Sequence, residues 1–237
     1  MSTEMDPRTG LPVGESVNPA PARRPERTTL AGRLTTLVPL DASAHASDLA
    51  AAAAGRDNAA LWQYMSDGPY EDLESFRAAI EAKASAPDAV FFAIVDKNTG
   101  RATGYASLMR IDAANRVIEV GNVLYTPLLQ RTPAGTEAMY LLARYVFEEL
   151  GYRRYEWKCH WLNDPSRKAA MRLGFTFEGI FRQHFIVKGR NRDTAWFSML
   201  DGEWPERKAD FERWLHPGNF DAAGRQRTPL RRAFQSL

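Results

Sequence analysis

The sequence predicts an α+β fold in which helices flank a central sheet that is mixed and mostly antiparallel. Short turns separate three strand-like stretches, at residues 90–95, 102–111 and 117–125. Because short turns join antiparallel neighbours, these stretches predict a meander. A long amphipathic segment between two strands then indicates a crossover helix and one locally parallel pair. Two more strands, at residues 175–185 and 193–200, complete the predicted sheet.

One strand and two helices precede the meander. Residues 33–40 are rich in β-branched side chains and predict a strand that ends at proline. The alanine-rich residues 45–54 predict the first helix, and residues 71–84 predict the second. Residues 56–65 between the helices are expected to be irregular. The apolar face of the second helix is predicted to be Leu73, Phe76, Ile80 and Ala84.

The crossover helix is the longest predicted element. Its apolar side chains recur at the spacing of one helical face: Met139, Leu142, Ala143, Val146, Phe147 and Leu150. Gly151 is placed to end it. In the next strand, residues 155–161, alternate side chains point to opposite faces. Short helices are predicted at residues 165–173 and 205–215, and Trp204 and Trp214 anchor the second of these.

The chain divides into three parts. Residues 1–28 carry five prolines and few large apolar side chains, which predicts a flexible proline-rich arm; an arm packed on its own domain or on a partner is the alternative. Residues 29–202 form the predicted domain. Residues 203–237 are expected to be a C-terminal helix and a solvated basic tail with Arg225, Arg227, Arg231 and Arg232.

Composition excludes several classes of protein. The net charge of +2 arises from 31 basic and 29 acidic residues, which makes a nucleic-acid partner unlikely on charge balance alone. No apolar run approaches the length of a membrane span, and the first residues lack a secretory core. A single cysteine, Cys159, rules out an intramolecular disulfide. We therefore expect a cytoplasmic protein without a membrane partner or a metal.

The turn before the crossover helix indicates an anion site. Pro133 suits the first helical position and Thr132 the N-cap, so the following residues present amides at a helix N-terminus. Arg131 adds positive charge. The local alternative is an ordinary capped helix.

A second polar pair follows the next strand. Asn163 stands just after the strand, and Ser166 stands in the first turn of the following helix. Both side chains are suited to bonding a ligand between strands. The local alternative is that Asn163 caps its own helix.

Together these stretches resemble the GNAT superfamily of acyl-CoA-dependent N-acyltransferases. The resemblance rests on residues 130–138, on Asn163 to Ser166, and on Arg172-Leu173-Gly174-Phe175 followed by Glu178-Gly179. It is strongest for the branch of ribosomal-protein N-terminal acetyltransferases (RimJ/RimL type). It implies a GNAT-like layered fold over residues 30–200, with a sheet that is splayed in the middle.

The resemblance also implies roles for individual residues. The backbone of Val123, Leu124 and Tyr125 would pair with pantetheine, and the Val123 amide would polarise the thioester carbonyl. Asn163 would bond the pantetheine, and Ser166 would return a proton to the thiolate. The pyrophosphate would be held by Gln130, Arg131, Thr132, Ala134, Gly135 and Thr136.

The sequence departs from the family pattern at two places. Pro133 occupies the first glycine position of the pyrophosphate turn and removes one amide. The helix at residues 165–173 lacks the tyrosine that many relatives use as an acid, which leaves Ser166 as its substitute.

A general base is needed to deprotonate the amine. His184 ranks first, ahead of His160 and Glu119, because histidine has a suitable pKa. Each is also interpretable as a structural residue. Cys159, among aromatic side chains of its strand, is predicted to be a buried core thiol.

These observations predict an acetyltransferase that moves an acyl group from acetyl-CoA, or another acyl-CoA such as succinyl-CoA, to a primary amine. The acceptor would be a protein N-terminus or a small molecule, and the loops at residues 56–70 and 188–191 would select it. A non-catalytic CoA-binding or interaction module of the same fold is the alternative. A homodimer is left open.

Overall fold

A single large sheet organises the computed structural model, which describes residues 3–230. Its strands are β3 (Leu30–Ala31), β4 (Thr35–Pro39), β5 (Val90–Asp96), β6 (Ala102–Asp112), β7 (Val117–Tyr125), β8 (Arg154–His160), β9 (Thr176–Val187) and β10 (Arg190–Leu200). A separate hairpin pairs β1 (Thr3–Met5) with β2 (Pro12–Gly14). The α-helices are α1 (Ala42–Ala53), α2 (Leu73–Ala84), α3 (Pro133–Arg144), α4 (Asp164–Arg172) and α5 (Trp204–Leu215).

The sheet has the order β3-β4-β5-β6-β7-β8-β10-β9. The pair β7 and β8 is parallel, and the other neighbouring pairs are antiparallel. Tight turns join the antiparallel pairs β5–β6, β6–β7 and β9–β10, whereas α3 carries the chain from β7 across to its parallel neighbour β8. The predicted mixed, mostly antiparallel sheet with flanking helices is confirmed.

The crossover helix changes its geometry before it ends. Residues Tyr145–Glu149 form a π-helical turn that follows α3 directly. Gly151 then adopts a φ of 77°, a conformation that glycine reaches without a steric penalty, and it stops the helix as predicted. The π turn was not predicted, because the apolar spacing of the segment is that of a regular helix.

Two apolar cores lie on opposite sides of the sheet. The larger one packs α3, α4 and α5 against the sheet. In the smaller one, α1 and α2 pack on the other face, where the alanines of α1 allow a close approach. Phe76 and Ile80 of α2 are buried as predicted, but Leu73 is 43% exposed. The expectation for Leu73 is wrong because the residue lies at the first position of α2, before the buried face begins.

Part of the N-terminal arm contacts the domain. Ala22 and Pro25 are buried. The amide of Ala22 donates to the carbonyl of Ala113, and the amide of Arg23 donates to the carbonyl of Leu150. This stretch therefore matches the alternative of an arm packed on its own domain, whereas the boundary at residues 28 and 29 stays a prediction.

The segment after α5 also packs back on the domain. Trp204 and Trp214 are each 5% exposed, so both anchor α5 as predicted. The indole of Trp214 donates to Gln226 Oε1 at 2.8 Å, and Leu230 is buried in the larger core. Residues 222–229 are exposed, as expected of a solvated tail, but Phe220 and Leu230 pack against the larger core and hold the tail to the domain. Arg231 and Arg232 lie outside the described residues.

Within residues 3–230, none of the helices combines the length and the apolar character that crossing a membrane requires.

Candidate active site

The parallel strands β7 and β8 separate halfway along their length. They pair over residues 117–120 of β7 and 154–157 of β8. Beyond these residues β7 continues to Tyr125 and β8 continues to His160, and no further pairs join the two strands in the described chain. We call the opening the β7–β8 gap. It exposes backbone groups of both strands that a continuous sheet would have used.

A β-bulge in β7 lies at the start of the gap. The register of β7 on β6 shifts after Gly121, and Asn122 adopts the left-handed conformation with a φ of 48°. Asparagine reaches this conformation more readily than β-branched residues do. The hydroxyl of Ser107 donates to the Gly121 carbonyl at 2.9 Å and fixes the backbone just before the bulge.

The bulge decides which amides face the gap. The amide of Thr126 donates to the Thr103 carbonyl on β6 at 3.2 Å. Because peptide groups alternate between the two edges of a strand, Leu124 also faces β6, whereas Val123 and Tyr125 face the gap. The structure therefore does not bring the Leu124 backbone to the position predicted for it.

The turn before α3 is capped as the sequence predicts. Thr132 Oγ1 accepts from the Gly135 amide at 3.1 Å and donates to the Leu129 carbonyl at 2.8 Å. Pro133 stands at the start of the helix, where its lack of an N–H is tolerated. The cap occupies the Gly135 amide and leaves that of Ala134 unused.

The two polar side chains before the cap behave differently. Arg131 is exposed and has a φ of 60°, so its side chain is free to meet a ligand. The side-chain amide of Gln130 instead donates to the Tyr125 carbonyl at 2.9 Å. Gln130 therefore ties the turn to the edge of the gap.

Gly135 allows the ring of Tyr125 to lie against the turn. A Cβ at this position would stand 2.8 Å from Tyr125 Cε2 and 3.0 Å from the carbonyl oxygen of Leu129. The Tyr125 hydroxyl donates to the Gly135 carbonyl at 2.5 Å, and burial raises its pKa far above the usual value. Tyr125 thus supports the turn with its side chain, a role that the sequence did not suggest.

Thr136 is supported from behind by α4 and α5. Its hydroxyl accepts from Arg172 Nη1 at 3.1 Å, and the Arg172 guanidinium lies 4.8 Å from the ring centroid of Trp214. Thr136 is 5% exposed. A contact of Thr136 with a phosphate would therefore come from its backbone.

Asn163 and Ser166 lie at the start of α4, beside the end of β8. Asn163 Oδ1 accepts from the Ser166 amide at 3.2 Å, so Asn163 caps its own helix. Ser166 Oγ accepts from Trp157 Nε1 at 3.0 Å, and the Ser166 hydroxyl also hydrogen-bonds the Cys159 side chain. Cys159 is buried, and burial raises the pKa of its thiol. This confirms the predicted core thiol.

A charged face adjoins the gap on the side of the sheet that carries α1 and α2. We define it by Arg110, Glu119, Glu156, Lys158, His184 and Arg192. The Lys158 ammonium lies 2.9 Å from a Glu119 oxygen and 2.7 Å from a Glu156 oxygen. Arg110 Nε lies 3.1 Å from the same Glu119 oxygen. Burial nevertheless raises the pKa of Glu119.

His184 reaches this face because of a second bulge. Gln183 has a φ of 51°, and its amide donates to Asp193 Oδ1 at 2.6 Å. The His184 ring lies 6.0 Å from that of Trp196, whose face in turn holds the Lys158 ammonium at 3.8 Å. Burial and then the positive charge of Arg110 lower the pKa of His184, which favours the neutral imidazole.

The two loops predicted to shape acceptor choice meet. Lys188 Nζ donates to the Trp62 carbonyl at 2.8 Å, and the Tyr64 ring lies 5.3 Å from that of His160. His160 Nδ1 accepts from the Leu162 amide at 3.0 Å, and the ring also hydrogen-bonds the Asn191 backbone. These contacts bring residues 62–64 and the β9–β10 turn together near the end of β8.

Sequence reasoning missed the charged face as a unit. Glu119, His160 and His184 were recognised as single residues, but Arg110, Lys158 and Arg192 were not. The only signal in the sequence is the alternation of Glu156, Lys158 and His160 along β8. It places them on one face of the sheet but does not indicate which residues they contact.

Among residues 3–230, no group of three or more His, Cys, Asp or Glu side chains is arranged to hold a metal ion.

Comparison with known proteins agrees with this architecture. Residues 35–176 match the Acetyltransferase (GNAT) domain. The chain is 31% identical over 145 residues to the uncharacterized N-acetyltransferase p20 of Bacillus licheniformis, covering 60% of this chain and 81% of that one. It is 33% identical over 111 residues to a Bacillus subtilis protein provisionally named a ribosomal N-acetyltransferase, covering 46% of this chain and 59% of that one.

A solved structure extends the likeness to nearly the whole chain. The GCN5-related N-acetyltransferase from Brucella melitensis is 49% identical and superposes with a TM-score of 0.87, covering 89% of this chain and 96% of that one. The family and the branch that the motifs indicated are both supported. The chain belongs to the GNAT acetyltransferase family and is an acyl-CoA-dependent N-acetyltransferase.

Proposed function

We propose that acetyl-CoA binds with its pantetheine arm in the β7–β8 gap and that an amine attacks the thioester directly. The observation that carries this proposal is the bulge at Asn122, which turns the Val123 amide toward the gap. A fixed amide aimed at the thioester oxygen would stabilise the negative charge that develops there. Tyr125 offers a second gap-facing peptide group for the pantetheine.

The pyrophosphate would lie at the start of α3. The helix dipole and the amide of Ala134 favour a negative charge there, and the exposed Arg131 adds a charge-assisted contact. Thr136 would contribute its backbone amide at the positive end of the helix. Gly135, whose amide and carbonyl are both engaged, would serve by keeping the turn small, while Gln130 and Thr132 hold the turn in shape. Because Pro133 has no N–H, the turn offers the pyrophosphate one backbone donor fewer.

Ser166 would protonate the leaving thiolate of CoA. As the amine nitrogen bonds to the acyl carbon, the carbon–sulfur bond breaks and the electron pair leaves on sulfur. The Ser166 hydroxyl would turn from the Cys159 sulfur and donate a proton to that thiolate, while its oxygen accepts from Trp157. The amide nitrogen of Asn163 would bond the pantetheine, because only its oxygen is engaged in the cap.

His184 would take the proton that the amine loses. Its lowered pKa keeps it neutral near pH 7, as a base must be. Glu119 is a weaker candidate because Lys158 and Arg110 already pair with it. His160 is weaker because it accepts from Leu162 and packs on Tyr64.

The acceptor would be a primary amine of a protein N-terminus or of a small molecule. The relative provisionally named a ribosomal N-acetyltransferase supports the protein N-terminus. Acetyl is the proposed acyl group, and other acyl groups enter as competitors in the test. A cytoplasmic location and a homodimer stay predictions from the sequence.

Thermal melting with acetyl-CoA, succinyl-CoA and free CoA, followed by assay of thiol release with a panel of amines, tests the proposal. A ligand at 100 times its dissociation constant should stabilise the fold by about 2.7 kcal/mol. We expect acetyl-CoA to raise the melting temperature and at least one amine to release free thiol. Absence of a melting shift with all three ligands would refute the proposed donor site.

The alternative, a CoA-binding module without turnover, is motivated by Pro133 and by the lack of a tyrosine acid on α4. It predicts the same melting shift with no thiol release from any amine. The two functions are thus separated by the second half of the experiment.

A further inference from the structure

One basic side chain of the charged face, that of Arg192, takes part in none of the ion pairs of the described chain. Each acidic side chain is shared between two bases in an unbroken series: Glu119 pairs with Arg110 and Lys158, and Glu156 pairs with Lys158 and Arg154. The series ends at Glu178, which lies 2.5 Å from Arg154. These pairs leave Arg192 out.

Arg192 is half-buried, and Glu119, whose negative charge acts on it, already pairs with Arg110 and Lys158. Among residues 3–230 its guanidinium takes part in no hydrogen bond or ion pair, and its Nε is enclosed without an acceptor. Its neighbour Asp193 is engaged elsewhere, by the Gln183 amide and the Asn191 side chain. An enclosed polar atom without a partner is unfavourable for folding, and the rest of the half-buried guanidinium is left to meet a ligand.

The guanidinium groups of Arg110 and Arg192 both contact the ring of Phe185. The central carbons of Arg110 and Arg192 each lie 5.7 Å from the ring centroid of Phe185. Ring contacts of this kind fix the plane of a guanidinium, and a fixed plane suits a carboxylate or a phosphate with two parallel hydrogen bonds. Because Arg110 shares Glu119 with Lys158, only part of its charge is neutralised.

The position of the pair relates it to the proposed acceptor. Glu119, the partner of Arg110, lies on β7 just before the bulge, and Arg192 lies on β10 beyond β8. The loop contact between Lys188 and Trp62 borders the same side. An amine that approaches the gap from this side passes the two guanidinium groups.

We propose that Arg192, assisted by Arg110, binds a carboxylate or phosphate group of the amine acceptor. This inference rests on the proposed function of the β7–β8 gap and names the class of its acceptor: an amine that carries an anionic group. The acid group would orient the acceptor, while the amine attacks the thioester. Arg192 is therefore a specificity residue and takes no part in the chemical step.

The same carboxylate could instead belong to the acyl group, as in succinyl-CoA. We favour the acceptor because Arg192 is on β10, separated from the Val123 amide by the whole of β8 in the sheet order. The experiment distinguishes the two sources.

The test uses succinate and inorganic phosphate as probes, at constant ionic strength with chloride as the reference anion. Melting temperatures are measured with saturating acetyl-CoA for the wild type, Arg192→Gln and Arg190→Gln. Arg190 is a matched control because it is exposed and lies two residues away on the same strand. A probe at ten times its dissociation constant should raise the melting temperature by about 3–5 °C.

We expect this rise in the wild type and in Arg190→Gln but not in Arg192→Gln. Arg192→Lys, which keeps the charge but not the planar fork, should show a reduced rise. Equal shifts in all variants, or none up to about 50 mM probe, well above the millimolar range of a weak site, would overturn the inference. If Arg192→Gln does not fold, the Arg192→Lys result decides.

Replacing acetyl-CoA with succinyl-CoA identifies the source of the anion. Persistence of the probe-induced shift supports the acceptor, and its loss assigns the carboxylate to the acyl group and overturns the proposal. Failure of the proposed function has a different signature: acetyl-CoA alone would then leave every melting temperature unchanged.

Discussion

The β7–β8 gap and the charged face share strands β7 and β8, but backbone groups form the one and side chains form the other. The gap is formed by backbone: a bulge at Asn122, the amide of Val123 and a capped helix at Thr132. The charged face is formed by side chains that come from β6, β7, β8, β9 and β10. A backbone site depends on local sequence, whereas a side-chain site depends on which strands become neighbours.

This difference suits the two substrates of an acetyltransferase. Acyl-CoA is common to the family, and backbone groups can bind it with little dependence on side-chain identity. Side chains on a fixed sheet can be exchanged without disturbing that backbone site, so they suit the recognition of the proposed acceptor. Changes on one side should therefore affect one substrate and spare the other.

The largest effect is expected from Lys158→Met on the charged face. The side chains of Lys158 and Glu119 are each 6% exposed, and removal of one partner from a buried pair costs about 3–5 kcal/mol. Chemical denaturation should show this loss, while acetyl-CoA affinity of the folded protein stays unchanged. The added substitution Glu119→Gln should restore part of the stability. A loss below about 1 kcal/mol would mean that the pair behaves like a surface salt bridge.

The next effect concerns His184 and pH. The pKa of His184 is lowered from its usual value of 6.5, so the acid limb of kcat/KM should lie below pH 6.5, where the imidazole gains its proton. His184→Gln should lower kcat by about 10²-fold and remove that limb, with acetyl-CoA affinity retained. Full turnover of this variant from pH 6 to 9 would exclude His184 as the base. A limb that disappears in Glu119→Gln instead would assign the role to Glu119.

On the donor side, Gly135→Ala should weaken acetyl-CoA binding. The new Cβ would stand 2.8 Å from Tyr125 Cε2 and would displace the ring or the turn. We expect a net loss of about 1–2 kcal/mol in stability and about tenfold weaker binding by calorimetry. Gly202→Ala is the matched control, since its Cβ meets nothing within 4 Å. Equal acetyl-CoA affinity in both variants would show that the turn does not depend on this packing.

The smallest effect separates the two roles of Asn163. Asn163→Ala should lose about 1 kcal/mol because the cap of α4 is removed. Asn163→Asp keeps the cap but loses the amide donor, so its melting temperature should stay near that of the wild type while acetyl-CoA binds more weakly. Unchanged acetyl-CoA affinity in the aspartate variant would leave Asn163 with a structural role only.

The same contrast explains what could be predicted from the sequence. Thr132 and Pro133 predict a capped helix because capping depends on residues that are neighbours in the sequence. The meander is predicted by the short turns between its strands. Asn122 gave no such signal, since its conformation depends on the pairing of β7 with β6. Arg192 and Phe185 are brought together across a strand pair, and Leu230 returns to the core from beyond α5. Contacts of this kind require the assembled sheet.

Infrared spectroscopy of bound acetyl-CoA labelled with ¹³C at its thioester carbonyl shows whether the bulge aims the Val123 amide at the thioester. Asn122→Gly preserves the left-handed conformation, whereas Asn122→Val opposes it. We expect the same low carbonyl frequency in the wild type and Asn122→Gly and a higher one in Asn122→Val. An identical frequency in all three bound proteins would contradict it.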